Sequence, residues 1–534
     1  MKQRPTWTIS VFSVRSGLLL SLLCGLALHG MAAPLSLSSG EARHLLVRTG
    51  FTPTQAEVDR LVGQRAEQAV DALLAAARAA QPVNPPPPFV ALPAPTPYRL
   101  LANREEQQLA RRTQFAEGLE FKTWWLREMI ETPTPLAERM TLFWHNHFAT
   151  SQQKVVRAQA LWQQQQLLRA NALGNFRTLL HGVAKNPAML VYLDGANSRK
   201  EAPNENFARE VMELFVLGEA TQTAAGLGGY SEQDIKEAAR AFTGWSVERD
   251  DFSYRFRPGF HDGDRKTLFG QSGNLDGDQA LDILLAQPAA PRFIVGKLWR
   301  EFVSPTAYTA LNQADLARAA AHFKASGFDI AQALRDLLLS DSFWDPSNRG
   351  SLIKSPVDLV VGTVRQFGFS YTDVTPLVLK SAQLGQNLLV PPNVKGWPGN
   401  TDWINATTLL ERKRFSEQLF RSAALAPTSA SVTGKALRAE LVNGAGQRGN
   451  LQALALQGRE GVQRLAEAAA QIRFDPEHWL ETYGGHADQE PNEALKDRLR
   501  QVLLAVDATK TVAPGTVGVV YLRTLTLDPA YQLK

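Results

Sequence analysis

The stretch "PNENFAREVMELFVLG", Pro203 to Gly218, constrains the fold more than any other. Read as a helix capped by Asn204, it carries Phe207, Val211, Leu214 and Phe215 on one face. Met212, Val216 and Leu217 spread apolar surface round most of the cylinder, and only Arg209, Glu210 and Glu213 interrupt it. A surface helix keeps a polar side; a helix that is apolar almost all round has to be enclosed by other elements. At 534 residues, 44% hydrophobic and 20% charged, the chain is long and apolar enough to build that enclosure around one or more cores.

The enclosing elements read as helices. Residues 33–81 contain two or three short ones, the first capped by Ser39 or Gly40 and the second by Thr52 or Thr54. A proline-rich linker, 82–98, follows; proline fixes φ and removes donors, so this segment should be extended. The main helical region runs over 99–425. Arg99 to Glu131 is one long helical stretch, "TPTP" stops it, and Pro135 opens the next helix where its missing N–H costs nothing. Near residues 250–270 the period changes: Phe252, Tyr254 and Phe256 alternate between Pro-Gly and Asp-Gly turns, the pattern of a β-hairpin. Helices resume at about Asp276, a capping residue, and a C-terminal helical region occupies 426–534. The expected fold is all-α, a multi-helix globular protein with one small β-hairpin insertion.

The first 32 residues read as a signal peptide. Lys2, Arg4 and Arg15 are basic, "LLLSLLCGLAL" is too short to span a bilayer, and small residues before Ala33 suit cleavage after Ala32. A general-secretion route to the periplasm or the exterior is expected, with no transmembrane anchor in the mature chain. The only cysteine, Cys24, would be removed, leaving neither disulfide nor thiolate site. The pI of 9.2 is then misleading. Three of the +5 charges belong to the signal, and +2 on the remainder is no footprint for nucleic acid.

Four stretches carry chemistry. In "FWHNHFATS", His145 and His147 form a His-x-His pair, but two residues of regular helix separate side chains by about 200°. Shared chelation requires the helix to loosen after Trp144, which the weak helix former Asn146 and the polar "ATSQQK" lead us to expect; otherwise these are a helix-end and a core histidine. His147 continues the stripe of Leu136, Met140 and Phe143 and should face the Glu210 helix. Glu210 and Glu213, at i and i+3 of a buried helix, need a cation, an arginine or a metal, with an Arg209–Glu213 pair as the structural alternative. In "FHDGDRKTLFG", His261 and Asp262 crowd a turn whose charges are more simply solvated. In "VPPNVKGWPGNTDWINATTLLERKRF", Trp397 and Trp403 either line a cleft or plug the core, the plug being simpler. No nucleophile-elbow, phosphate-loop, dinucleotide, zincin or haem motif is present.

These stretches, with "YLDGANSRKEAPNENFAREVMELFVLG", "YSEQDIKEAARAFTGW", "LIKSPVDLVVG" and the opening "ARHLLVRTGFTPTQAEVDRL", occur in an order that resembles the bacterial family domain of unknown function 1800. The resemblance runs from about residue 40 to about 425 and on to the end, with 426–515 less recognisable. It implies an exported protein, often encoded beside a sulfatase-like exported family that is a candidate partner. It implies no activity. It draws attention to His145, His147, Asn206, Glu210, Glu213 and His261, which sit in the motif stretches.

Two functional expectations follow. The first is a divalent-metal-dependent envelope enzyme, a hydrolase by its least specific chemistry. Zinc, manganese or iron would be held by His145, His147, Glu210 and His261, with Glu213 or Asp262 as the base acting on metal-bound water. The second is a non-catalytic helical scaffold or binding protein for the sulfatase-like partner or an envelope polymer, its buried polar groups being structural networks. Convergence of His145, His147, Glu210, Glu213 and His261 in one cavity discriminates the two.

Overall fold

Side-chain caps fix where the helices begin. Ser38, one residue before the expected position, caps the Ser39–Thr49 helix in a reciprocal box with Glu41; Thr54 does the same with Glu57 for Gln55–Asp59. Asn204 accepts from the Phe207 amide, Asp276 caps Gly277–Ala286, and Pro135 occupies the first turn of Pro135–His147. This computed structural model describes residues 33–92, 96, 101–219, 229–248, 251–309, 311–424 and 458–534. The expected signal peptide with Cys24, the tip of the proline-rich segment and residues 425–457 lie outside the described residues.

The protein is mostly helical, as expected. Its strands form two two-stranded antiparallel sheets among the described residues. In the first, β1 (Trp245–Val247) pairs with β2 (Tyr254–Phe256); in the second, β3 (Lys266–Leu268) pairs with β4 (Gln271–Gly273). The expected hairpin is thus two. Phe269 and Gly270, both at positive φ, make the second turn, which lay beyond the Asp-Gly signal. No helix among the described residues is long and apolar enough to cross a membrane.

Two hydrophobic cores lie side by side. One gathers Trp144, Phe148, Phe176, Phe215 and Trp299. The other gathers Trp125, Trp397, Trp403, Trp479 and Tyr531, so helices near the chain's end share a core with the long Arg104–Glu131 helix. The proline-rich segment seats Phe89 in this second core, against Phe121. The Pro135–His147 helix serves both: Met140 and Trp144 belong to the first core and Leu142 to the second. That dual role governs the histidine pair.

Candidate functional site

The Pro135–His147 helix stays regular through His147, and the Phe148 amide still bonds to the Trp144 carbonyl. The expected loosening after Trp144 does not occur, because the helix is walled by core on both sides. The two rings leave in different directions. His147 enters the first core, where Nε2–H donates to the Phe215 carbonyl at 3.1 Å and Nδ1 accepts from the Lys297 ammonium at 3.1 Å. It does reach the helix that carries Glu210, but touches its backbone. Burial and the Lys297 charge hold the imidazole neutral, well below its usual value. His145 enters the second core between the Trp125 and Trp397 rings, 5.3 and 5.5 Å away. Burial pushes it down to about 4, and its Nε2 has no hydrogen-bond partner among the described residues.

The acidic pair lies elsewhere. Glu210 ends an α-helix that widens to a π-helix over Val211–Val216. Glu213 pairs with Arg209 at 3.6 Å, and Arg209 also holds Glu232 at 2.7 Å. The structural alternative for this helix is therefore the arrangement present. Glu210 is half-buried rather than buried, without an ion pair among the described residues. Burial and the Glu213 charge push its carboxyl up, opposed by Lys395 and Arg209. A raised folded value makes Glu210 favourable while protonated and unfavourable as pH rises through the carboxylate range. Glu210→Gln should therefore match or exceed wild-type stability at pH 7, by less than about 1 kcal/mol after solvent screening. Thermal denaturation checks this; a loss of several degrees would reveal a cationic partner.

The turn residues serve the hairpins. His261 faces the Thr243 carbonyl through Nδ1 at 2.9 Å. Asp262 is bound by Arg240 at 2.7 Å and by the Asp264 amide at 2.9 Å. Burial pushes its carboxyl up, but these hydrogen bonds and the Arg240 charge hold it below the ordinary value, which suits a structural anion better than a base. Asn206 is exposed. Among the described residues, Glu477, Glu481 and His486 are the group of three whose ligand atoms approach within 4.8 Å; none of His145, His147, Glu210 or His261 belongs to it.

The residue between the histidines has a defined task. Asn146 Oδ1 accepts from the Trp397 amide at 2.6 Å, clasping the "KGWPG" loop to the end of the helix. Trp397 and Trp403 are both buried, so the loop plugs the core.

A buried charged cluster is centred on "LIKSPVDLVVG". All twelve residues of the Pro356–Phe367 helix are buried, Asp358 included. Asp358 accepts from Lys534 at 2.7 Å, from the Ser355 amide at 3.0 Å and from Arg139. Arg139 also reaches Glu301 and the Gly50 carbonyl, both at 2.7 Å. Burial alone would raise the Asp358 carboxyl; the Arg139 and Lys534 charges hold it well below the carboxylate range. The signal was present in the sequence as a carboxylate among Val357, Leu359, Val360 and Val361, the same logic that drew attention to Glu210.

Comparison with curated proteins and with solved structures returns no match. A family model described as "Protein of unknown function (DUF1800)" matches residues 44–533, nearly the whole chain, and the protein belongs to that family.

Proposed function

We propose that the protein is an exported, non-catalytic helical binding protein, acting beside a sulfatase-like exported partner. The observation that carries this reading is the engagement of both His147 nitrogens, one by a carbonyl and one by an ammonium. A metal ligand needs a free ring nitrogen, and a lysine 3.1 Å from Nδ1 repels a cation. His145 sits about 200° round the same helix and cannot complete a shared site. Export follows from the basic, apolar and small-residue pattern of the first 32 residues, and the partner from the family's usual neighbour.

The second reading, a divalent-metal hydrolase, is favoured by one feature: the buried Nε2 of His145 that lacks a partner among the described residues. Elemental analysis of the purified chain separates them. The binding reading expects zinc, manganese and iron far below one equivalent, unchanged by His145→Ala. One equivalent per chain, lost in His145→Ala, would restore the metal enzyme and overturn the first reading.

A further inference from the structure

A cleft of about 830 Å³ opens between the Ser39–Thr49 helix, the Arg349–Lys354 segment and the Glu493–Leu503 helix. It is the size of a site for a small organic molecule. It lies apart from the histidine pair, and its chemistry holds for a binding protein and an enzyme alike.

Three cations line it with hydrogen-bonding capacity to spare. Lys354 is 4% exposed, and its amine lies 4.1 Å from the Tyr531 ring centroid, with no hydrogen bond or ion pair among the described residues; burial, with Lys534 and Arg412 nearby, pushes it down to about 7, so an anion beside it would restore its full charge. Arg43 is 8% exposed; one arm donates to Gln55 at 2.7 Å, while the buried Nη1 has no acceptor there. The Arg349 guanidinium has no acceptor among the described residues either, and its Nε is buried. The acidic side chains of the lining, Asp59, Asp497 and Asp507, are all exposed. The acidic side chains therefore occupy the rim, with exposed Arg498, while Lys354 and Arg43 are buried and Arg349 is half-buried.

The layer beneath deepens the imbalance. Arg43, Arg48, Arg139, Lys354, Arg412 and Lys534 are each at most 8% exposed. Among the described residues, Asp358 is the one buried carboxylate ion-paired with any of these six, with partly exposed Glu301 the second acid. Arg48 donates to the carbonyls of Phe302, Val303 and Asn348, and Arg412 to that of Lys354 and to Gln532, while the buried Nε of each has no partner among the described residues. Carbonyls supply hydrogen bonds but no net charge. Buried charges are kept when they are paired or hold a ligand, and six basic side chains against two acidic ones leave the cleft wall with more basic groups than acids to pair them, even with burial pushing Lys354 and Lys534 down. The neighbouring His44 agrees: burial, then Arg48, push its imidazole down to about 3.

We propose that this cleft binds an oxyanion group, carboxylate or phosphate, of a small organic ligand, with Lys354, Arg349 and Arg43 as its direct contacts. The two guanidiniums present planar forks and the ammonium a point charge, a set that recognises carboxylate and phosphoryl oxygens. The remaining volume accommodates the organic part against Val47, Tyr483 and Val502.

The test uses the purified full chain, titrated by calorimetry and by thermal shift with inorganic phosphate and with citrate, against chloride at matched ionic strength. At least one of the two should bind saturably and raise the melting temperature beyond chloride. Citrate binding tighter than phosphate assigns a carboxylated ligand, and the reverse order a phosphorylated one. Lys354→Met and Arg349→Met should each weaken that binding by about tenfold or more, the loss of one charged contact. Lys354→Met should also melt at or above the wild-type temperature without ligand, because it removes a buried unpaired charge. Two results overturn the proposal: no saturable binding of either anion, or equal stabilisation of wild type and both variants. The latter is how excluded anions act on any protein surface.

Discussion

Asp358→Asn is expected to destabilise the protein by about 3–5 kcal/mol, the cost of removing one partner from a buried ion pair. The substitution keeps the shape of the side chain and deletes its charge. Arg139 and Lys534, both buried, would then face an amide, and one of its two oxygens becomes an NH2 pointing at a cation. The loss reaches several segments at once, since Arg139 also ties Gly50 and Glu301. The pH dependence has a definite sign. The folded carboxyl titrates below the unfolded one, so its stabilisation is complete above the unfolded value near 4 and is lost as pH falls toward the folded value. The gap between wild type and Asp358→Asn, read from urea midpoints, should therefore narrow by about 1 kcal/mol between pH 7 and pH 3. A gap below about 1 kcal/mol at pH 7 would mean that Asp358 is not the hub of the network.

Gly396→Ala should destabilise by about 2–4 kcal/mol, through two costs of similar size. Gly396 has φ +86°, a region that a Cβ disfavours. That Cβ would also lie 2.2 Å from Asn146 Oδ1 and 2.5 Å from the Asn146 backbone oxygen. The side-chain oxygen can move only by giving up the Trp397 amide, and the backbone oxygen is fixed by the helix end. The expected consequence is release of the aromatic loop from the second core, visible as increased tryptophan exposure in fluorescence as well as a lower denaturation midpoint. Unchanged fluorescence and midpoint would show that the loop does not need the clasp. The same geometry gives Asn146 its place between the two histidines: it bonds the loop's backbone, while the His145 ring packs against the loop's Trp397 and His147 faces the other core.

Much of the architecture could be read in the sequence because it is local. Asn204, Thr54, Asp276 and Pro135 mark helix starts by hydrogen-bonding or φ preferences that act within four residues. The all-round apolar character of Phe207–Leu217 placed that helix in a core, and the alternation of Phe252, Tyr254 and Phe256 marked a hairpin region. The π-widening over Val211–Val216 had no such marker, since it reflects how the helix fits its neighbours.

The candidate site was less legible, for a physical reason. Sequence determined that His145 and His147 would diverge if the helix continued, because 3.6 residues per turn fixes their angle. Whether it continued was decided by tertiary structure: two cores press on opposite sides of Pro135–His147 and hold it regular to its end. Sequence also determined that a carboxylate on an enclosed helix needs cations. It named Glu210, but only the packing shows that Glu210 reaches the half-exposed edge while Asp358 is enclosed on every side. The partners of Asp358 lie 219 positions upstream and 176 downstream, and no local period encodes contacts at that separation.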